Sequence, residues 1–505
     1  MAQRLRFGTA GLRAALGDGP ARMNVQIVEI CATAIAQWLP PSSEVVIGRD
    51  ARYGSEDFAN VTARVLAEAG HAPRLFREPV PTPVVAHAVA FTSAAAGVMV
   101  TASHNPATDN GYKVYAADGS QILPDAADEI ETNMAALPWP DEVSVEPPSG
   151  VEQLGEPEIN AYLNAISASV ASDADEASIR LQQSEGLTIA YTAMHGVGGE
   201  LFVRALEGAG HRVLSVPEQH EPNPDFPTAA FPNPEEPGTL DLVMALADAE
   251  NADLVMANDP DADRLAVAVK RAGGWERLTG DQIGVLLGWF ILGRTEGERA
   301  VATTIVSSSL LGKVAAESGA TCHHTLTGFK WLVQTDSPDL PLVYAYEEAL
   351  GYSVLPAIRD KDGISAGVVF AEMVAQVAGF GHTVDEVLEN LYSTHGVHFT
   401  SQVSARFEGD DSMQQMSQRM AELRADPPVD VGGLAVVDCV DLIDGTDQLP
   451  PSDVLIYHLD GGRLIVRPSG TEPKIKAYIE AVADDQNTAQ VSLATLESTA
   501  EILLA

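Results

Sequence analysis

A polar segment that follows an apolar run contains a serine suited to act as a nucleophile. Residues 97–100 read Gly-Val-Met-Val, and Ser103 lies shortly after them, before His104, Asn105 and Pro106. Because proline disfavours helical backbone at the residue before it, the chain is expected to turn at Asn105. A hydroxyl in a turn at the end of a strand can be reached by a ligand. Taken alone, the segment is more typical of a surface turn.

Three aspartates at alternate positions form a candidate metal site. Asp259, Asp261 and Asp263 lie between two apolar stretches, and alternate side chains of an extended chain point the same way. Three converging carboxylates repel one another unless a cation neutralises them, and hard oxygen ligands suit Mg²⁺. A calcium hand needs Gly and Glu where this chain has Arg264 and Lys270, so that alternative fails. A solvated acidic turn remains the weaker alternative.

A third segment has the composition of an anion site. A predicted strand ends at Arg467, and the turn Ser469, Gly470, Thr471 follows. The planar guanidinium can grip a phosphate, and consecutive backbone N–H groups with two hydroxyls can form an anion nest. It is not a Walker loop, because no Gly-Lys-Ser/Thr follows at the required spacing. An ordinary hairpin explains the segment equally well.

A pair of glutamates ends another apolar strand. Glu347 and Glu348 follow the run Val-Tyr-Ala-Tyr, and their carboxylates could accept hydrogen bonds from sugar hydroxyls. By itself the pair is weak evidence, since adjacent glutamates are common at solvated helix starts.

Together and in this order, the four segments closely resemble the signatures of the α-D-phosphohexomutase superfamily, which includes phosphoglucomutases, phosphomannomutases, phosphoglucosamine mutases and phosphopentomutases. The signatures are a phosphoserine loop, an Asp-x-Asp-x-Asp metal loop, a sugar-recognition loop and a C-terminal phosphate loop. Smaller similarities occur at residues 7–13, 48–52 and 327–331. The resemblance therefore covers nearly the whole chain, and it is greatest to the branch with phosphoglucomutase-2 and phosphopentomutase.

The chain departs from the family pattern at two positions. Pro260 stands where many relatives have Gly, which stiffens the metal loop without removing a ligand. Many hexomutases have Glu-x-Ser in the sugar loop, whereas Ala349 stands at the serine position here. The second departure leaves the identity of the bound sugar open. It does not change the reaction that is expected.

The resemblance implies a phosphosugar mutase that interconverts the 1-phosphate and 6-phosphate of a hexose, glucose or mannose. Ser103 would carry a phosphoryl group and donate it, so that a sugar 1,6-bisphosphate is the intermediate and activator. Mg²⁺ would be held by Asp259, Asp261, Asp263 and an oxygen on phosphorylated Ser103, and would act as a Lewis acid. Alternatives are a phosphopentomutase, a sugar-bisphosphate synthase and, more remotely, a sugar-phosphate phosphatase or a non-catalytic sensor.

The resemblance also implies roles for residues around these loops. Candidates for general acid and base are Lys113, Arg13 and Lys330. Residues expected to bind substrate are Arg264, Glu347, Arg467, Ser469, Gly470, Thr471 and His104. Among these candidates, a lysine surrounded by other cations is expected to have a lowered pKa, which would suit proton transfer. Because adjacent residues in an extended turn point apart, no Ser103–His104 dyad is predicted, and His104 is expected to shape the loop or contact phosphate.

The composition narrows the class of protein. The chain has 505 residues, 71 acidic and 30 basic, with a formal charge of −41, which argues against a nucleic-acid partner. Three isolated cysteines favour neither disulfides nor zinc, and no long apolar run predicts a membrane span. We therefore expect a cytoplasmic enzyme whose partner is a small sugar phosphate, with no membrane or protein partner implied. Cations concentrated beside the motifs predict a locally positive cleft.

Alternation of apolar runs and helical patterns predicts an α/β protein. Helices are expected near 55–69, 198–209 and 309–318, and a proline-rich loop over 217–237. From about residue 398 the pattern changes to a strand, a helix near 412–423, several strands and a helix near 486–503. The resemblance implies three related α/β domains and a C-terminal α+β domain around a central cleft. The expected boundaries are 1–172 with the phosphoserine loop, 173–282 with the metal loop, 283–397 with the sugar loop and 398–505 with the phosphate loop.

Overall fold

The structure of the protein is a computed structural model that describes residues 4–8, 11–146, 148–171, 186–409, 411–469 and 473–504. The chain forms two compact units. The first unit comprises Met1–Ala300 and Gly328–Val384, and the second unit comprises Val301–Thr327 and Asp385–Ala505.

A mixed sheet near the start of the first unit carries the serine loop. Its strands are β1 (Leu12–Ala15), β2 (Glu44–Arg49), β3 (Ala72–Phe76), β4 (Ala96–Val100), β5 (Asp109–Ala116) and β6 (Glu152–Leu154), in the order β1-β5-β4-β2-β3-β6. Its helices are α1 (Val25–Trp38), α2 (Ser55–Glu68), α3 (Thr82–Phe91), α4 (Pro124–Ala136) and α5 (Glu156–Ala171). All five residues of β4 are buried, as expected for a central strand covered on both faces. Antiparallel pairing of β4 with β5 places Lys113 opposite Met99.

A second sheet of the first unit carries the aspartate turn. Its strands are β7 (Thr188–Thr192), β8 (Arg212–Ser215), β9 (Leu254–Ala257), β10 (Ala266–Arg271) and β11 (Gly274–Arg277), in the order β11-β10-β9-β7-β8. The helices of this region are α6 (Gly199–Gly208), α7 (Pro217–His220), α8 (Asp241–Glu250) and α9 (Gly280–Leu292). The buried strand β9 runs parallel to β7, and the chain turns directly after it.

The remaining part of the first unit carries the glutamate pair. It contains the short helix α11 (Phe329–Leu332), the antiparallel strands β14 (Leu342–Glu347) and β15 (Gly351–Ser353), and α12 (Gly363–Gly379). Asp362 caps α12, because its side chain accepts hydrogen bonds from Ile364 N and Ser365 N.

The second unit begins within β12 (Ala300–Thr304) and includes α10 (Leu310–Glu317), β13 (Thr321–Thr325) and most of α13 (Val384–His395). Its main sheet has the strands β16 (Val397–Arg406), β17 (Asp430–Val431), β18 (Leu434–Asp441), β19 (Leu455–Leu459), β20 (Gly462–Pro468) and β21 (Lys474–Ala483), in the order β16-β21-β20-β19-β18-β17. Helices α14 (Ser412–Ala425) and α15 (Gln486–Leu504) contribute to the apolar core on this sheet.

Most predicted elements are confirmed. The helices expected near 55–69, 198–209 and 309–318 correspond to α2, α6 and α10, and the expected C-terminal pattern is observed. The prediction of a loop throughout 217–237 was wrong at its start, where α7 begins at Pro217, because the fixed φ of proline suits the first helical position. Among the described residues no single helix is long and apolar enough to cross a membrane. The consecutive helices α12 and α13 reach such a length and apolar composition only when they are taken together, and a bend separates them.

Candidate active site

The serine loop is held by one buried guanidinium. Ser103 has a φ of 53°, and Arg52 NH2 donates to the carbonyl oxygens of Ser103 and Asn105 at 2.6 Å each. Arg52 NH1 donates to the carbonyl oxygens of Pro106 at 2.7 Å and Asp109 at 3.2 Å. The backbone of the loop therefore curves around the Arg52 guanidinium, which donates to four of its carbonyl oxygens.

Arg52 is itself fixed by Asp50. The two side chains form a buried ion pair at 3.3 Å, and Ser55 Oγ donates to Asp50 Oδ1 at 2.6 Å. Burial lowers the pKa of Arg52, and the charge of Asp50 acts in the opposite direction. Sequence analysis marked Arg52 only as part of the similar segment 48–52 and missed this contact with the loop.

The hydroxyl of Ser103 contacts the aspartate turn. Ser103 Oγ donates to Asp259 Oδ2 at 2.8 Å, and Arg264 N donates to Asp259 Oδ1 at 3.1 Å. Ligand atoms of Asp259, Asp261 and Asp263 all lie within 4.8 Å of one another, and all three residues are buried. The convergence comes from a turn, in which Ala262 has a φ of 56°, and not from the extended chain that the alternation suggested.

In each of two aspartates, one carboxylate oxygen accepts hydrogen bonds and the other accepts none from the described residues. Asp261 Oδ2 accepts hydrogen bonds from Lys113 Nζ and Thr82 Oγ1, both at 2.7 Å. Asp263 Oδ2 accepts from Lys113 Nζ at 2.7 Å and lies 3.3 Å from Lys361 Nζ. Within the described part of the chain, Oδ1 of Asp261 and Oδ1 of Asp263 have no hydrogen-bond partner. Buried oxygens without partners beside a third carboxylate fit a hard divalent cation.

The environment of Lys113 differs from the prediction. Burial lowers the pKa of Lys113, but Asp261 and Asp263 raise it by more, so that it lies above its ordinary value. For Lys113 the expectation of a pKa lowered by neighbouring cations was wrong, because the two charged groups nearest to its ammonium are carboxylates. Burial also raises the pKa of Asp259 well above its ordinary value, and the charges of Asp261 and Asp263 add to this effect.

His104 lies closer to the serine than predicted. Ser103 Oγ is 3.2 Å from His104 Nδ1, because the left-handed backbone of Ser103 turns both side chains to one side. The expectation that they point apart was wrong. Burial lowers the pKa of His104 well below its ordinary value, and the charge of Arg264 lowers it further. His104 is therefore a neutral imidazole beside the hydroxyl at neutral pH.

The glutamate of the predicted sugar loop is held in place by a glycine turn. Glu347 ends β14 and is buried, and Gly328 N donates to its Oε1 at 2.7 Å. Gly328 has a φ of 122°, which glycine tolerates, and Lys330 follows in α11. Burial lowers the pKa of Lys330. Lys330 thus has a lowered pKa as expected of a candidate lysine, but burial and not neighbouring cations is the cause.

Two further predicted residues of the first unit lie near these loops. Arg13 is in β1 opposite Gly111, and its Nε is buried with no hydrogen-bond partner among the described residues. Arg264 follows the aspartate turn, and its NH1 lies 3.4 Å from Glu235 Oε2.

The predicted anion loop belongs to the second unit. Arg467 lies in β20 opposite Lys476, with its guanidinium 5.9 Å from the ring of Tyr478. Ser469 N donates to Lys474 O at 2.8 Å. Gly470 and Thr471 lie outside the described residues, so anion binding by this loop stays a prediction.

Comparison with known proteins identifies the family. Successive parts of the chain match the phosphoglucomutase/phosphomannomutase alpha/beta/alpha domain I (residues 4–140), domain II (160–274), domain III (279–395) and the C-terminal domain (416–497). A Haemophilus influenzae protein named "Probable phosphomannomutase" is 38% identical over 494 residues, which cover 94% of this chain and 96% of that protein. The chain belongs to the phosphoglucomutase/phosphomannomutase family.

Other relatives of this phosphomutase carry different sugar names. A Schizosaccharomyces pombe protein named "Probable phosphoribomutase" is 37% identical, covering 95% of this chain and 87% of that protein. The Homo sapiens "Phosphopentomutase" is 33% identical, covering 96% of this chain and 86% of that protein. Family membership therefore fixes the reaction class, a phosphotransferase within the isomerases, and leaves the sugar open.

The fold of the phosphomutase agrees with a solved structure. The phosphoglucomutase parafusin from Paramecium, in its open form, superposes with a TM-score of 0.74 at 21% identity, covering 100% of this chain and 96% of that chain. The four-domain α/β architecture that the motifs implied is confirmed.

One charged residue of the phosphomutase site was missed from the sequence. Lys361 contacts Asp263, although 98 residues separate them in the chain. The only local signal was the charged run 359–362, Arg-Asp-Lys-Asp, before Gly363. Such a run is normally taken for a solvated loop, and only the fold shows that Lys361 is buried.

Proposed function

We propose that this phosphomutase transfers a phosphoryl group between O1 and O6 of a hexose phosphate, of glucose or mannose, through a phosphorylated Ser103. The observation that carries the proposal is the 2.8 Å contact between Ser103 Oγ and Asp259 Oδ2. This contact joins a loop hydroxyl, held in place by Arg52, to a buried carboxylate cluster with free oxygens.

The transfer balances in two steps. In the first, a hydroxyl oxygen of the sugar phosphate bonds to phosphorus as the bond from phosphorus to Ser103 Oγ breaks; the hydroxyl proton passes to a base, and Ser103 Oγ takes up a proton. In the second, Ser103 Oγ gives up its proton and bonds to the other phosphorus of the sugar bisphosphate as the bond from that phosphorus to the sugar oxygen breaks, and the sugar oxygen takes a proton. We assign the proton transfers to Lys330, because burial lowers its pKa, whereas Lys113 is held between two carboxylates.

Mg²⁺ would be held by Asp259, Asp261, Asp263 and an oxygen on phosphorylated Ser103. When bound, it supplies Lewis-acid neutralisation of the transferring group. Lys113 keeps Oδ2 of Asp261 and of Asp263 occupied, which leaves Oδ1 of each for the cation. Arg264 adds a positive charge beside the cluster, and neutral His104 can hydrogen-bond a phosphate oxygen on Ser103.

The remaining assignments follow the predicted loops. Glu347 accepts hydrogen bonds from sugar hydroxyls, and Arg13 orients the substrate. We retain anion binding for Arg467, Ser469, Gly470 and Thr471. We also retain the four proposed domain ranges, 1–172, 173–282, 283–397 and 398–505, and a cytoplasmic location.

A pentose phosphate is the second candidate substrate. Two observations favour it: the relatives named phosphoribomutase and phosphopentomutase, and Ala349 in place of the serine of many hexomutases. Because Ala349 has no hydroxyl, one hydrogen bond to the sugar is missing or comes from another residue.

The test compares substrates and the phosphorylation state. Turnover is measured on glucose 1-phosphate, mannose 1-phosphate and ribose 1-phosphate with Mg²⁺ and sugar bisphosphate. A preference for either hexose phosphate supports the proposal, and a preference for ribose 1-phosphate supports the pentose alternative. Inactivity on all three substrates contradicts both. Intact mass is expected to show one phosphoryl group gained from sugar bisphosphate by the wild type and by the surface control Ser167→Ala, but not by Ser103→Ala.

A further inference from the structure

The charged run 359–362 is tied to several parts of the first unit. Arg359 Nε lies 3.1 Å from Asp118 Oδ2, and Asp362 Oδ1 accepts a hydrogen bond from Tyr162 OH at 2.8 Å. Both ends of the run are thus fixed by side chains that are distant in sequence. The residues between them, Asp360 and Lys361, are held in a defined position.

Asp360 is a buried anchor. Its Oδ2 accepts hydrogen bonds from Tyr115 OH at 3.0 Å and Gln121 Nε2 at 2.9 Å, and its Oδ1 accepts from Lys361 N at 2.8 Å. Tyr115 lies in β5, two residues after Lys113, so both side chains lie on the same face of the strand. The strand that presents Lys113 to the aspartate turn therefore also fixes the backbone of Lys361.

The side chain of Lys361 is confined by contacts at its ammonium group and along its aliphatic stem. Nζ lies 3.3 Å from Asp263 Oδ2 and 3.7 Å from Asp360 Oδ1, and it lies 5.8 Å from the centre of the Phe329 ring. Its stem lies against Gly351, where an added Cβ would be 2.2 Å from Lys361 Cδ and 2.9 Å from Cγ. A side chain at position 351 would therefore displace the lysine.

The two lysines contact the same oxygen of Asp263. Lys113 and Lys361 both contact Oδ2, while Oδ1 has no hydrogen-bond partner among the described residues and lies 4.0 Å from Arg264 Nε. We propose that Lys361 is a positioning residue for metal selectivity: together with Lys113 it fixes the Asp263 carboxylate so that Oδ1 has one direction in which to bind a cation. This inference rests on the metal site of the proposed function.

A fixed oxygen favours the smaller ion. Mg²⁺ demands near-ideal octahedral geometry, whereas Ca²⁺ accepts longer and more variable contacts from flexible ligands. Loss of the second contact to Oδ2 frees the carboxylate to rotate, which lowers discrimination against Ca²⁺. Removal of the positive charge alone changes the attraction for both divalent ions alike. The ratio of the two dissociation constants therefore separates positioning from charge.

The experiment titrates the dephosphorylated full-length protein with MgCl₂ and with CaCl₂ by calorimetry. For Lys361→Met we expect the loss of affinity to fall mainly on Mg²⁺, by about tenfold, the lower limit usual for loss of a residue that orients a metal ligand, so that the ratio Kd(Ca²⁺)/Kd(Mg²⁺) falls by about the same factor. The matched control is Lys270→Met, at a surface lysine that pairs with Asp248 at 2.9 Å, and its ratio should equal that of the wild type. An unchanged or increased ratio for Lys361→Met overturns the proposal, even if both constants shift together.

Two further variants test the same contact without removing the lysine. Gly351→Ala displaces the stem, and Asp360→Asn weakens the anchor at nearly constant volume, so either can be measured if Lys361→Met does not fold. Both should lower the ratio in the same direction, and a wild-type ratio in both would contradict the proposal. If the wild type binds no Mg²⁺, the metal site and this inference fail together, whereas phosphoryl transfer by Ser103 is judged separately by the mass measurement.

Discussion

Arg52 NH2 donates a hydrogen bond of 2.6 Å to the carbonyl oxygen of Ser103, the residue whose hydroxyl contacts the aspartate turn. Three other carbonyl oxygens of the same loop accept hydrogen bonds from this guanidinium. A lysine has one ammonium group in place of the planar fork and cannot reproduce the arrangement.

We expect Arg52→Lys to lower kcat about 100-fold, because a nucleophile misplaced by about 1 Å costs roughly that factor. KM should change much less, since Arg52 is buried and is not expected to touch the sugar. Steady-state kinetics of Arg52→Lys and of the surface control Arg204→Lys measure this difference. Equal kcat in the two variants would show that the loop does not depend on the guanidinium.

Lys113 provides a prediction about stability. Its ammonium pairs with Asp261 and Asp263 at 2.7 Å each, and all three groups are buried. Lys113→Met removes the ammonium group that these two buried carboxylates share, which is expected to cost about 3–5 kcal/mol without metal. The loss of stability is measured by urea unfolding of the full-length protein in EDTA, with hydrogen exchange of β5 and β9 as the probe of the first unit. Lys270→Met should unfold like the wild type, and the same behaviour in Lys113→Met would contradict the prediction.

How far the sequence predicts the molecule depends on the range of the interactions involved. Helices such as α2 and α10 follow from local apolar periodicity and were predicted to within two residues. The environment of Lys113 was not predictable in this way, because its partners lie about 150 residues away and are brought to it by the pairing of strands in two sheets. The contact of His104 with Ser103 depends on a positive φ at a non-glycine residue, which no local pattern indicates.

Glu480 gives a pH-dependent prediction for the second unit. It is buried and accepts hydrogen bonds from Ser308 Oγ at 2.8 Å, Ser309 N at 2.7 Å and Arg463 Nε at 2.6 Å, and His398 Nδ1 lies 3.0 Å away. Burial raises the pKa of Glu480, but Arg463 and the hydrogen bonds lower it by more, so it lies below its ordinary value. The stability that Glu480 contributes is therefore present above about pH 4.3 and is lost as the pH falls toward the folded pKa.

At pH 7, Glu480→Gln is expected to favour local opening around residues 305–310 by about 3–5 kcal/mol. The difference from the wild type should shrink below about pH 4, because the opened state of the wild type is then stabilised by binding a proton at Glu480, whereas the native state stays ionised until the pH reaches the lowered folded pKa. Hydrogen exchange of peptides from α10 and β21 measures it at both pH values, with exposed Glu389→Gln as the control. A difference that does not depend on pH would show that shape, and not charge, matters at this position.

Gly363 tests how closely the aspartate turn is packed. An added Cβ would lie 2.1 Å from Arg264 O and 2.6 Å from Asn258 Nδ2, and Gly363 N donates to Ala262 O at 3.2 Å. A backbone carbonyl cannot move aside as a flexible side chain can, so Gly363→Ala must shift the turn that carries Asp263.

We expect a loss of about 1–3 kcal/mol in stability from the steric overlap and a larger fractional loss of mutase activity than of folded protein. Thermal unfolding and steady-state assays are compared with Gly273→Ala, where an added Cβ meets nothing within 4 Å. If both variants keep full activity, the backbone around the turn has more freedom than these distances imply, and the fixed geometry proposed for Asp263 would lose its support.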